Sequence, residues 1–563
     1  MGTRSIGLET EYAIAFSPRD NNNSKPSNYD IFLALKESIK KIVKSSPGDT
    51  AVAAERFFVE NGGSFYYEVI PTQFLSGLIE GATPECRSPA ELLVYQKAQD
   101  HLLIKAIPMA QQLLANRGYT GQIALLKNCR DAQGHIYGAQ ENYETPIATG
   151  AALWAYRIAI SLLIPVVFVA VTMYWTLLLC LLPMMLVFLL CYNTVNQYLK
   201  IKSQSGKNSF YSRVLQPFSF LVLKLELLVS FPITLAFYWI TRWFCFKNIR
   251  AHCNAFLISR PIITGCGTLL DPGRFYLSEK ASAMKREIRY TISQHQRPIY
   301  ETGHLIKQLL SPFYFHFRPF LNLYRQNQRL QIGLSDSNMA QTAEYLKIAT
   351  TCLILDMAEA HFLEDAPHLD QPIQALHLIC QDPSLSTKVR LKNGPNMSAL
   401  DIQKYYLQKA KAYIHSSTAI SLQNATTVHM WEEALSLLEN QPQQCFGQID
   451  WLTKSYLIDQ MGENKPFEVL KKIDLRYHEL HQGYFAKLEQ AGLTHVLVSS
   501  QQIATAILEP PRHNKARIRS HFIKTMPNKV TLTWDYAKFS KKWLIKNKIV
   551  FFEHYRPDHT HFI

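Results

Sequence analysis

Glu9 and Glu11 stand one residue apart in "SIGLETEYAI" (5–14), an otherwise apolar or small stretch near the start of the 563-residue chain. In a strand, alternate residues point to the same face, so the two carboxylates share one side, roughly 7 Å apart. Ile6, Leu8 and Tyr12 take the other side. Two readings stay open: a solvated edge strand, or a polar face that holds a divalent cation, since hard cations take oxygen ligands. Three more polar clusters follow. In "ENGGSFYYEVI" Glu68 shares a strand face with Ser64 and Tyr66, and "LIEGATPECRSP" carries Glu80 and Glu85. The passage "LLKNCRDAQGHIYGAQENYET" is rich in Asn, Gly, Gln and Glu, and in "QRLQIGLSDSNM" Arg329 and Gln331 share a face. Together these offer carboxylates for Mg²⁺, and an arginine and a lysine for phosphate. Singly each has a plainer reading: an Asn/Gly-rich loop as a turn, a solvated strand glutamate, a strand arginine paired locally.

Elements must bring these clusters together. A polar loop (17–30) leads into an amphipathic helix, "IFLALKESIKKIVKS" (31–45), and residues 90–117 form another, with Leu92, Leu93, Leu102, Leu103 and Ile107 as apolar positions. "GQIALLKN" (121–128) and "RLQIGLSD" (329–336) read as strands, 341–363 and 400–490 as mainly helical. The last part, from about 494, mixes short strands with basic loops, and no internal repeat is evident.

A chain of this length exceeds one ordinary core, so two or three units are expected. A hydrophobic content of 47% against 18% charged suits a folded protein and excludes a disordered one. Ten cysteines without a CxxC pair point to reduced thiols in a cytosolic compartment. Most, such as Cys180, Cys191, Cys266 and Cys352, sit singly in apolar surroundings and are expected to be buried. The first residues do not read as a secretory signal. The net charge of +15 raises nucleic acid as a partner, yet no recognition motif appears. The basic residues instead flank apolar runs: Arg157 before the first, Lys200, Lys202, Lys207 and Arg213 after it, then Arg242, Lys247 and Arg250. That distribution fits the cytoplasmic side of a membrane.

From Ile158 to Tyr192 thirty-five residues pass without a charge, where about 20 suffice to span a bilayer. They predict one long tilted helix or a tight hairpin of two short ones, with Pro165 and Pro183 as kinks. A second run, "LLVSFPITLAFYWIT" (227–241), spans or lies in the interface. The organisation expected is a first part of the core (1–150), a membrane-embedded helical insert (151–250), a second part of the core (251–493) and a small C-terminal domain (494–563). Both parts of the core must join one sheet, so the insert should leave and return on the same side, by an even number of crossings or a re-entrant hairpin. The expected location is the inner (cytoplasmic) membrane, with the core facing the cytoplasm.

The order and wording of the clusters resemble the Pup ligase and depupylase family of the glutamine-synthetase-like carboxylate–amine ligase superfamily. "GLETEYA" (7–13) matches the family's opening G-[IL]-E-T-E-[YF]-G almost letter for letter. "NGGSFYYE" (61–68), "IEGATPEC" (79–86) and "KNCRDAQGHIYGAQENY" (127–143) follow its next signatures. After the insert, "FLISRPIITGCG", "RPI" (297–299), "LSDSNM", "YLKIATTCLILDM", "DWLTK", "IDLRYHEL" and "PPRHNKARIRS" continue the pattern. The resemblance covers nearly everything except roughly 151–250.

It implies an α+β fold: a curved, mostly antiparallel sheet whose polar face binds Mg–ATP, with helices outside. It implies a ligase that phosphorylates the C-terminal glutamate side chain of a small ubiquitin-like protein modifier, or another carboxylate substrate, and lets an amine displace the phosphate, giving an isopeptide. The implied metal set is Glu9, Glu11, Glu80, Glu141, Gln140 and Gln331; the implied ATP contacts are Lys127, Asn142, Arg297 and Arg329; Glu68 falls on the catalytic aspartate. Departures stand beside these matches. Glu68 is one methylene longer than that aspartate, and Gln140 and Gln331 replace two histidines. "YETGHLIK" (300–307) stands where the family has R-D-E-P-H. Three expectations therefore remain: a membrane-anchored ligase, a depupylase-like hydrolase or deamidase, or a non-catalytic membrane partner of a second subunit of this family. Membrane lipid is the other partner expected, and no specific nucleic acid.

Overall fold

The computed structural model describes residues 4–19, 24–49, 55–70, 73–131, 134–198, 216–270, 273–289, 297–309, 320–392, 394–416, 422–462, 465–527, 529–539 and 548–554. Ten strands form the main sheet: β1 (Ile6–Pro18), β2 (Ser45–Pro47), β3 (Phe57–Val59), β4 (Ser64–Ile70), β5 (Gln73–Ala82), β6 (Gly121–Leu126), β7 (Gln140–Pro146), β8 (Arg286–Ile288), β9 (Pro298–Glu301) and β10 (Asn327–Ile332). Their order is β8-β9-β10-β7-β1-β5-β4-β3-β2, and β6 pairs with the far half of β1. All neighbours are antiparallel except β8 and β9. The α+β class with a mostly antiparallel sheet is as expected. The two parts of the core join where β10 pairs with β7, Gln331 opposite Asn142. The insert thus leaves and returns beside one sheet.

Alternation along β1 sorts its residues. Ile6, Leu8 and Tyr12 are buried on the back face, under the helices Asn28–Ile42, Pro89–Ala115 and Gln341–Glu359. Burying each such aliphatic side chain contributes about 1.5–3 kcal/mol. The Tyr12 hydroxyl donates to Asp100 (2.6 Å) on the second of these helices, so its polar end is satisfied inside the core. The first helix starts at Asn28 because Ser27 and Asp30 form a reciprocal capping box. It ends at Ile42, and Ser45 already belongs to β2.

The charge-free run lies within one continuous helix, Gly150–Tyr198, and the second run within another, Gln216–Trp243. Tyr156, Ile160, Leu163 and Val167 of the first and Ile233, Phe237 and Ile240 of the second enter the main core. Increasing numbers on one therefore face decreasing numbers on the other: an antiparallel hairpin rooted in the core. Beyond the root, side chains such as Leu179 (66%) and Leu228 (73%) are exposed. Among the described residues one helix segment, Gly150–Leu181, is long and apolar enough to cross a bilayer, with a mean hydropathy of 2.3. That hydropathy is of its most apolar 18-residue stretch, of which only 11% is buried. Lys200, Lys202, Lys207 and Arg213 lie outside the described residues. The chain re-enters the core through a 77° bend before helix Lys247–Ser259, where Arg250 donates to the Thr241 and Arg242 carbonyls.

Residues 399–490 are mainly helical among those described, as expected. Beyond 494 two helices appear that the sequence did not suggest. Ser500–Leu508 adds Ile503, Ala506 and Ile507 to the main core. Asn514–Thr525 packs with a three-stranded sheet (530–539 and 548–551) into a second small core that also takes in Phe58 of β3. Nine cysteines are described and all are free. Cys266 is buried as expected and Cys352 half-buried, but Cys180 is exposed, because the long helix carries it away from the core. The Cys191 side chain lies outside the described residues.

Candidate active site

The polar face of the sheet is built by register. Glu11 lies directly opposite Glu80 on β5, which lies opposite Tyr66 on β4. On the other flank of β1, Glu9 lies opposite Gln140, and Asn142 lies between Gly7 and Gln331. Cross-strand partners share a face, so Glu9, Glu11, Tyr66, Glu68, Glu80, Gln140, Asn142, Arg329 and Gln331 all project to one side.

Two groups form on that side. In the first, a carboxylate oxygen from each of Glu11, Glu68 and Glu80 lies within 4.8 Å of the others. Glu68 Oε2 is shut off from solvent and has no hydrogen-bond partner. Burial, reinforced by the Glu9 and Glu11 charges, pushes Glu80 up to about 7. Burial also raises Glu11, against the opposing charge of Lys280, and raises Glu68 well above the carboxylate range, helped by Glu11 and Glu80. Glu11 accepts the Gly138 amide at 2.7 Å. Gly138 needs to be glycine: its φ is +116°, and a Cβ there would sit 2.3 Å from Cys129 Sγ. Arg56 stacks on the Tyr66 ring, 4.4 Å from its centroid. Arg297 is half-buried with Glu11 and Arg130 as charged neighbours; burial holds its guanidinium below the usual value.

In the second group, Arg329 donates to Glu9 (3.3 Å) and to Gln331 Oε1 (2.8 Å). Gln331 Nε2 donates to Gln140 Oε1 and to Glu9 (3.4 Å). The Asn142 side-chain oxygen has no partner.

Two residues expected at the site are elsewhere. Glu141, expected as a metal ligand, points to the back face, because it is one residue out of step with Gln140 and Asn142. There it is fully buried in a two-pronged pair with Arg260 (2.7 and 2.9 Å) and accepts from Tyr143 (2.5 Å). Burial alone would raise its carboxyl, but the guanidinium outweighs burial and lowers it. Lys127, expected at the phosphates, follows the end of β6 and is fully buried. It is paired with Asp100 (3.1 Å) and faces Glu344 (3.8 Å). Glu85 sits apart as well, paired with Arg519, which also donates to the Gly62 carbonyl (2.7 Å) and so ties the C-terminal core to the sheet.

Neither Lys280 nor Arg260 was expected at the site, although Arg260 lies in "FLISRPIITGCG". Lys280 donates to the Ala139 carbonyl at 2.5 Å and sets its charge near Glu11. Both come from segments beyond the insert, and no local pattern marks Lys280.

The sequence profile of the family described as "Pup-ligase protein" matches residues 4–538. The chain belongs to the Pup-ligase family. Its relatives include the Pup–protein ligase of Acidimicrobium ferrooxidans, 25% identical over 96% of this chain and 93% of the relative. That of Kineococcus radiotolerans is 23% identical over 96% and 94%. Two solved structures share the fold. One is the complex of the prokaryotic ubiquitin-like protein Pup with its ligase PafA (TM-score 0.65, 20% identity, 98% of this chain and 88% of that one). The other is PafA in complex with ADP (TM-score 0.61, 19% identity, 92% and 89%). Within the Pup-ligase fold, the three-carboxylate group has the chemistry that Mg²⁺ requires: hard oxygen donors and a sealed, unsatisfied Glu68 oxygen.

Proposed function

We propose that this chain is a membrane-anchored, ATP- and Mg²⁺-dependent carboxylate–amine ligase that forms an isopeptide between a small ubiquitin-like modifier and an amine. The observation that carries the reading is the convergence of Glu11, Glu68 and Glu80 within 4.8 Å, on the polar face of a chain matched over residues 4–538 by the Pup-ligase family. Glu11 and Glu80 would hold Mg²⁺, which supplies countercharge to nucleotide phosphates. Arg297, Arg329 and Asn142 offer N–H donors towards phosphate oxygens beside them. Lys280 limits the negative charge that Glu11 gathers.

Anchoring is supported by the outward apolar faces of the hairpin and by the aromatic residues at its root. Trp239 and Trp243 lie 5.0 Å apart, and Arg157 stacks on Trp154 at 5.0 Å. Trp and Arg in such a girdle suit the headgroup level of a bilayer. The core then lies on the cytoplasmic side of the inner membrane.

The test is turnover by the purified full chain in detergent with ATP, Mg²⁺ and a modifier ending in glutamate. ADP should appear mole for mole with conjugate, and Glu80→Gln should lose both. Nucleotide-dependent cleavage of a conjugate without ADP formation would replace the ligase reading with a hydrolase. A second reading, a non-catalytic partner of another Pup-ligase-family subunit, is favoured by the Gln140–Gln331 contact. It predicts neither reaction, but co-purification with such a subunit. For location, protease added to intact cells should leave the core uncut, and inverted vesicles should expose it.

A further inference from the structure

Residues 494–563 carry twelve Lys and Arg against four Asp and Glu, more than half of the chain's net charge of +15. The described acidic residues of this part are all engaged. Glu509 pairs with Lys524 (2.9 Å), Asp535 with Lys515 (2.7 Å), and Glu553 with Arg325 and Lys515. Arg519 turns inward to Glu85. Arg512, Arg517 and Lys529 are exposed and make no ion pair among the described residues. Arg517 lies on the outer side of helix Asn514–Thr525, whose Ala516, Arg519, Phe522 and Ile523 are buried. Lys44, also exposed, donates to the Lys524 carbonyl (3.0 Å) and adds its charge to the same surface.

This basic surface and the apolar hairpin lie at the same end of the main sheet. Ile147, just past β7, accepts the Phe246 amide (2.6 Å), which closes the root of the hairpin there. The end of β7 lies beside the start of β1, with Tyr143 opposite Ile6. Ile6 also bridges Cys86, next to the Glu85 that holds Arg519. A second link is direct. Just before β10, the Leu323 carbonyl accepts from Tyr156 (3.0 Å) and the Tyr324 carbonyl from Arg157 (3.0 Å), both on the hairpin. The next residue, Arg325, grips Glu553 of the C-terminal part with both terminal nitrogens.

We propose that the C-terminal part docks on an anionic lipid leaflet beside the hairpin root, with Arg512, Arg517, Lys529 and Lys44 as its contacts. The proposal rests on the reading of the hairpin as a membrane anchor and adds the chemistry of the surface around it. Anionic headgroups attract basic residues over a Debye length, about 8 Å at physiological salt, and an anchor at the same end of the sheet keeps these residues near. An acidic protein or a nucleic acid matches the charge too. The tie through Arg325 to a segment held by the hairpin favours the lipid.

The full chain is placed in nanodiscs, either of neutral phosphatidylcholine or with one third anionic phosphatidylglycerol. Lysines are then acetylated and read by mass spectrometry. Lys44 and Lys529 should react at least threefold more slowly in the anionic discs, and 0.5 M salt should remove the difference. Lys105 is the internal control. It is exposed on helix Pro89–Ala115, about 21 Å beyond Glu91, whose carboxylate accepts the Arg512 amide. Its rate should not change. Arg512→Glu with Arg517→Glu should lose the protection of both lysines while the chain stays in the discs. The lipid comparison needs wild type alone, so it decides even if that variant folds poorly. Equal rates at Lys44 and Lys529 in both discs, equal slowing of Lys105, or protection that survives the double variant would each overturn the proposal. Protection by an acidic protein or an oligonucleotide, with none from anionic lipid, would overturn it and assign the surface to that partner. Failure of the anchoring reading looks different: the chain stays out of discs of either composition, and the docking falls with it.

Discussion

Glu141, Glu279 and Asp474 are as deeply buried as Glu11 and Glu80, yet the two sets are held in opposite ways. Glu141 meets Arg260, while Lys454 bridges Asp474 (2.7 Å) and Glu279 (3.2 Å), and Lys471 caps Asp474 at 2.6 Å. Burial would raise these carboxyls, but the paired cations outweigh it: Glu141 and Asp474 are lowered, and Glu279 is pushed down to about 2. On the polar face burial and like charge prevail, and Glu11, Glu68 and Glu80 are raised. Cations built into the chain mark structural locks. Carboxylates gathered without enough of them mark a place for an ion from outside.

The sharpest way to break this contrast is to remove a built-in cation. Arg260→Met leaves Glu141 buried with the Tyr143 hydroxyl and the nearby Lys347 charge but no direct ion pair, and breaking a buried pair from one side costs about 3–5 kcal/mol. Thermal unfolding should show a large fall in stability, with Mn²⁺ affinity of the folded fraction unchanged. A variant as stable as wild type would mean that pairing is not what distinguishes the back face.

The second test is acid. Glu279 is depressed in the folded state, so its contribution to stability is complete above the ordinary carboxylate value of 4.5. It is lost as pH falls from there through about 2. Wild type should lose stability over that window more steeply than Glu279→Gln, as followed by tryptophan fluorescence. Parallel curves would remove Glu279 from the lock.

The opposite sign is expected on the polar face. In chelator at neutral pH, Glu80→Gln removes one of several mutually repelling carboxylates, and stability should rise by on the order of 1 kcal/mol. A fall would show that Glu80 is already compensated.

The contrast was only partly legible in the sequence. Strand alternation in "GLETEY" placed Glu9 and Glu11 on one face and Ile6, Leu8 and Tyr12 on the other, as the structure has them. The same rule, applied to "QENY", puts Glu141 on the face opposite to Gln140, where the structure has it. Lys127 was beyond such reasoning, because its partner Asp100 comes from another element and a strand-end lysine carries no sign of burial. The charge-free run announced a long apolar helix. The break between one helix and two depended on whether Pro165 and Pro183 end it, and neither does. The helices beyond 494 have short apolar faces among basic residues, a weak signal until packing against helix Pro89–Ala115 or the second core is seen.

The smallest energetic effect is expected from Arg329→Leu, and it discriminates most finely between the two groups on the polar face. The guanidinium is 41% exposed, and an exposed pair contributes about 0.5 kcal/mol or less, so the melting temperature should barely move. The chemistry should change more. Without the guanidinium, Gln331 Oε1 and one Glu9 oxygen lose their donor, and that side of β1 then holds one carboxylate and a free amide oxygen with no built-in cation. One carboxylate with amide help is a poorer site than three carboxylates. Mn²⁺ titration should therefore reveal a second ion at least tenfold weaker than the first, with the first unchanged. If no second ion binds, the Gln140–Gln331 contact closes that side, not the positive charge. Adding Gln140→His to the Arg329→Leu background should then recover the ion by offering an imidazole nitrogen in place of the tied amide.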